Sequence, residues 1–166
     1  MDSLIVFLVL CQAGGALIGA ASAVWAELSY LRAIRDGYLD KAERAHLVNI
    51  GRGLTFGMLL LLLASLGLVF AIYGMHVTVQ PALSASYWML ILFALIIIGV
   101  TSALSRRKIS FTLGSAIVFT AWWFLAYLTV GGLPAANVGA ALGLYVVAVA
   151  IFYLLLHYLR VLAKPT

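Results

Sequence analysis

Five stretches of the chain are apolar almost throughout and contain no Asp, Glu, Lys or Arg: residues 4–24, 54–73, 87–104, 111–130 and 140–159. Each is about 20 residues long. At 1.5 Å per residue, a helix of that length crosses a hydrocarbon core about 30 Å thick. Backbone groups in lipid have to find their hydrogen bonds within the segment, so each stretch is predicted to be an α-helix. The alternating ten-residue pattern of a membrane β-barrel is absent.

The stretch 25–53, between the first two runs, behaves differently. Helical signals continue past the apolar part on both sides of "RDGYLD". Gly37 fits the left-handed position that ends a helix. Asp40 fits an N-cap, with Glu43 three residues on as in an acidic capping box. The first two spans are therefore predicted to form a helical hairpin whose arms extend about 12 residues, or roughly 18 Å, beyond the hydrocarbon. With the turn centred near Tyr38, facing residues have numbers totalling roughly 77. That places Glu27 at the level of Arg52 and Arg32 at the level of Glu43 to His46. It also suggests a dry seam of Leu28, Leu31, Leu47 and Ile50, and an i,i+4 pair between Asp40 and Arg44.

Composition agrees with the pattern. The 166 residues are 66% hydrophobic and 9% charged, with a net charge of +5. A soluble domain carries about 25% charged residues, so lipid is the solvent for most of this chain. One integral domain, residues 1–166, is expected. All ten basic residues fall between spans one and two, between spans three and four, or after span five. The positive-inside rule then gives five crossings, with the N-terminus outside, the C-terminus inside and the 25–53 hairpin in the cytoplasm. The basic charge reads as a topology signal and no nucleic-acid partner is expected. "SRRK" before span four is a solvated turn in this reading, with an anionic-lipid site as the sharper alternative. The first span should be retained, because "MDS" lacks the positive charge of a signal peptide. Compact length and the lack of an organellar presequence point to a bacterial cytoplasmic membrane.

Candidate chemistry is sparse. Glu27 is the ionisable group nearest the apolar part of span one. It is either an interfacial carboxylate paired with Arg52 or a proton or cation site. Gly15 and Gly19, and again Gly139 and Gly143, are spaced to bring helices close. They serve either packing within the bundle or an interface with a partner or second copy. Trp122 and Trp123 lie mid-span, where an indole is unusual. They are core packing or, with His157, a wall for a lipid, quinone or pigment. Thr120, Ser65 and Tyr145 are polar groups at similar depth, and Cys11 and Gln12 could border an outward-facing cleft. Bis-histidine haem ligation requires two rings at one depth, and His46, His76 and His157 do not offer that. A lone cysteine excludes an intrachain disulfide and a thiolate-rich zinc site. No HExxH or nucleophile–base pair is legible. No cofactor is expected, and a haem or quinone remains an alternative reading.

"YLRAIRDG" from Tyr30 to Gly37, with Glu43, Arg52 and Leu54 to Leu68, resembles a family of small bacterial multi-spanning membrane proteins of unknown function. "SFTLGSAIVFTAWWF" from Ser110 to Phe124 resembles that family's later span. The layout is more distantly similar to copper-resistance membrane domains and the membrane protoporphyrinogen oxidase, which carry histidines in their first spans where this chain has none. The resemblance implies a multi-pass membrane protein and no specific chemistry.

The expected function is that of an accessory, scaffold or assembly subunit in a membrane complex, binding membrane lipids and a membrane-protein partner or a second copy. A small oligomeric transporter or channel is the alternative. A haem-, quinone- or pigment-binding protein is the third.

Overall fold

The computed structural model describes residues 2–36, 41–74, 84–131 and 138–163, with the side chains of Asp2, Asp36 and 41–49 excepted. Five helices account for nearly all of it: α1 (Asp2–Asp36), α2 (Lys41–Gly74), α3 (Ala85–Ser105), α4 (Phe111–Thr129) and α5 (Val138–Leu162). There is no strand among the described residues. All five helices are long and apolar enough to cross a membrane. Among the described residues the fold is thus all-helical, with the five helices of membrane-crossing length that the pattern predicts.

With 35 and 34 residues, α1 and α2 are each about 50 Å long, well beyond the thickness of a hydrocarbon core. They run side by side in the register expected from the sequence. Gln12 donates to Ser65, the backbones at Gly15 and Leu61 and at Gly19 and Gly57 meet, and Ser22 lies against Gly53. These pairs total 75 to 77, beside the 77 expected. Of the proposed seam, Ile50 is buried and Leu31 is half-buried, but Leu28 is 45% exposed. Leu28 points away because the stripe of α1 that meets α2 runs through residues 8, 12, 15, 19 and 22. Its continuation at 3.6 residues per turn passes residue 26. The side chains of Leu47 and Arg44, and residues Gly37 and Asp40 with their expected caps and the Asp40–Arg44 pair, lie outside what is described.

Capping serines start the two shorter middle helices. Ser84 Oγ accepts from the Tyr87 amide and Ser110 Oγ from the Leu113 amide. At the other end of α3, the Arg107 amide donates to the Leu104 carbonyl and the Lys108 amide to that of Ala103. This is a Schellman closure, and its left-handed position is held by Arg107 at φ 54° where glycine is usual.

At the centre lies α4, which packs against α1, α3 and α5 and is the most buried span. Its small residues Gly114, Ser115, Ala116, Thr120, Ala121 and Ala126 make that possible. The core holds Trp122, Phe93, Leu61 and Leu125. Between α3, α4 and α5, the rings of Phe93, Phe124 and Tyr145 stand 5.0–5.4 Å apart. The contacts of α5 are fewer, and it gives the smallest share of its surface to the bundle.

Candidate functional site

One buried cluster of charged groups lies among the described residues, at the end of the bundle where α1 leaves the apolar region. On α1, the positions Ala16, Ala20, Ala23, Glu27 and Tyr30 recur every three or four residues, so they share a face. The first four are buried. At its far end this face meets α4 and α5, through Tyr30 on Phe111 and Glu27 on Arg160; it lies one residue, or about 100°, round the helix from the stripe that meets α2. Glu27 is 8% exposed and Arg160 on α5 is 6% exposed. Arg160 Nη2 donates to Glu27 Oε2 at 2.6 Å and to Ser115 Oγ of α4 at 2.7 Å. Ser115 Oγ in turn donates to the Thr112 carbonyl at 3.2 Å. One nitrogen therefore ties three helices together.

The guanidinium also lies over two rings. Its central carbon is 4.9 Å from the Tyr30 centroid and 5.3 Å from that of Phe111, and these rings stand 4.5 Å from each other. Nε and Nη1 of Arg160 are buried and have no hydrogen-bond partner. Ring faces attract a desolvated guanidinium, which offsets part of the cost of those unpaired donors. A charge pair this well covered stabilises little relative to an apolar core. Removing one member strands the other charge at a cost of about 3–5 kcal/mol.

The sequence pointed to Arg52 as a partner of Glu27; the structure places Arg160 on that carboxylate. The predicted register is right, and it fixes how far along the hairpin Glu27 lies. It does not fix which way the side chain faces. Arg52 sits on an exposed position of α2. Arg160 reads in the sequence as a flanking cation after span five. One signal was present: Ala141, Tyr145, Leu156 and Arg160 are the buried residues of α5. Arg160 continues that stripe four residues past Leu156, and apolar Val161 and Leu162 follow it.

The other candidates separate. Trp122 is 1% exposed and packs on Gly19, where a methyl group would run into the indole ring. Its Nε1 is buried without a hydrogen-bond partner. Trp123, one residue on, is 39% exposed and lies near Phe119, with ring centroids 6.5 Å apart. His157 is exposed on α5 and stacks with Tyr153 at 6.2 Å. These three side chains do not share one wall. The polar groups near that depth find protein partners: Thr120 bonds to the Ala116 carbonyl, Ser65 to that of Leu61, and Tyr145 to that of Ile117. Gln12 bonds to Ser65, and Cys11 is half-buried. The side chain of His46 and all of His76 lie outside the described residues.

The two glycine ridges also part. A Cβ at Gly15 would stand 2.7 Å from backbone atoms of Gly57 and Leu61. A Cβ at Gly143 would meet nothing within 4 Å, and Gly139 is exposed. Among the described residues no group of three or more His, Cys, Asp or Glu side chains is placed to hold a metal ion.

No known protein family, curated protein or solved structure matches this chain.

Proposed function

We propose that this protein is a non-catalytic component of a bacterial cytoplasmic membrane, with its hairpin end on the cytoplasmic side, that acts by binding a membrane-spanning helix of another protein. The observation that carries this reading is the open ridge of α5. Gly139 and Gly143 form a notch of the kind that lets helices approach closely in lipid. On α1 the same spacing is filled by α2 and by Trp122, whereas on α5 a Cβ at Gly143 would meet open space and Gly139 is exposed. The ionic cluster supports the same reading. Glu27 is covered and held by Arg160, which suits a clasp between helices better than a stop on a transport pathway.

The test is purification in mild detergent of the wild type and of Gly143→Leu. The reading predicts that the wild type brings a stoichiometric membrane protein with it, and that the variant folds equally well but comes alone. An unchanged set of companions would remove α5 as the surface. A homodimer lost in the variant would assign the notch to a second copy and overturn the partner reading. A haem or pigment band in the visible spectrum of the purified protein would overturn the non-catalytic reading.

A further inference from the structure

The end of the bundle that holds the Glu27–Arg160 pair carries an unbalanced charge. Tyr30 of α1 touches Phe111 of α4, and Glu27 touches Arg160 of α5. The second half of α1, the first half of α2, the α3–α4 turn and the last turn of α5 therefore share this end. Seven cations have described side chains there: Arg32, Arg35, Arg52, Arg106, Arg107, Lys108 and Arg160. One carboxylate, Glu27, is described among them, and it is buried against Arg160. Asp36, at the end of α1, lies six residues beyond Tyr30, or about 9 Å along the helix, roughly one screening length at physiological salt. The turn itself presents Arg106, Arg107 and Lys108 in succession, all exposed, directly after the 21 residues of α3. A helix of that length ends at the level of lipid headgroups.

We infer that the α3–α4 turn is a binding surface for the phosphate of anionic phospholipids. Charge and depth select this occupant. Three adjacent cations at headgroup level gain about 1 kcal/mol each from an anionic surface. The nearest described carboxylate is neutralised by a buried partner and does not compete. This surface is separate from the α5 notch and requires no protein partner, so either proposal can fail without the other.

The test is native mass spectrometry of the purified full-length protein, titrated with phosphatidylglycerol and, separately, with phosphatidylcholine. Phosphatidylglycerol should bind several-fold more tightly, and Arg107→Gly should reduce its affinity about fivefold, the equivalent of one surface cation, while leaving phosphatidylcholine unchanged. Arg107→Gly is the informative variant, because it removes a charge at a left-handed position that glycine adopts without strain. The fold is therefore expected to survive. Arg106→Gln and Lys108→Gln should each act in the same direction. Equal binding of the two lipids, or undiminished selectivity in all three variants, overturns the proposal. So does displacement of phosphatidylglycerol by millimolar inorganic phosphate at constant ionic strength, which would assign the turn to a soluble anion.

Discussion

Helices α1 and α5 carry the same small-residue spacing and are attached to the bundle in different ways. At Gly15 the backbones of α1 and α2 come so close that no side chain fits between them. At Gly143 there is open space. α1 is locked along its length by close backbone approach. α5 is fastened at separate points by polar side chains: Tyr145 donates to the Ile117 carbonyl, and Arg160 donates to Glu27 and Ser115. Hydrophobic force does not drive helix association within lipid, so packing and hydrogen bonds do that work. Against α2, α1 relies chiefly on the first, while α5 adds the second to its ring contacts with α3 and α4. A GxxxG spacing marks a helix face that can be approached. Whether a neighbour uses it depends on what the rest of the fold brings there.

The contrast is open to direct challenge. The largest effect is expected at the polar fastening. Arg160→Ala should destabilise the protein by about 3–5 kcal/mol in detergent, because it leaves the Glu27 carboxylate buried and alone. Glu27→Leu combined with Arg160→Met should recover most of that loss. If the single change is silent, α5 is not held by this pair.

Next comes the close approach. Gly15→Ala forces a methyl group against α2 backbone that no rotamer change can relieve, for a loss of about 1–3 kcal/mol in chemical unfolding. A smaller loss, about 1 kcal/mol, is expected for Tyr145→Phe, which removes the second fastening of α5 and keeps its ring in the aromatic core. The smallest belongs to Gln12→Leu. Its bond to Ser65 lies between helices already pressed together, and polar contacts of that kind contribute about 0.6 kcal/mol. A ranking in which Gln12 outweighs Tyr145 would reverse the account of how the two helices are held.

Much of the fold could be read from the sequence, for a simple reason. A charge-free run of about 20 residues in lipid has one way to satisfy its backbone, so the existence of the five helices follows from length, and the further reach of the first two from the helical signals on either side of Gly37. The hairpin register followed too, because two antiparallel helices joined by a short turn have few alignments. The site was legible only in part. Glu27 stood out as the carboxylate just past the C-terminal end of span one, but its partner depended on the rotation of α1 about its own axis. A one-residue step turns a side chain by about 100°. The stripe Ala16, Ala20, Ala23 that shares the face of Glu27 was visible, but nothing in it says which helix lies opposite. Trp122 and Trp123 illustrate the same limit. As neighbours in sequence they suggest one wall, and the helix turns one inward onto Gly19 and the other outward.

Side-by-side thermal unfolding of Gly15→Leu and Gly143→Leu in one detergent tests the contrast most directly. The account predicts a midpoint far below wild type for Gly15→Leu and one indistinguishable from wild type for Gly143→Leu. Equal shifts in the two variants would contradict it, since both ridges would then be packed inside the protein.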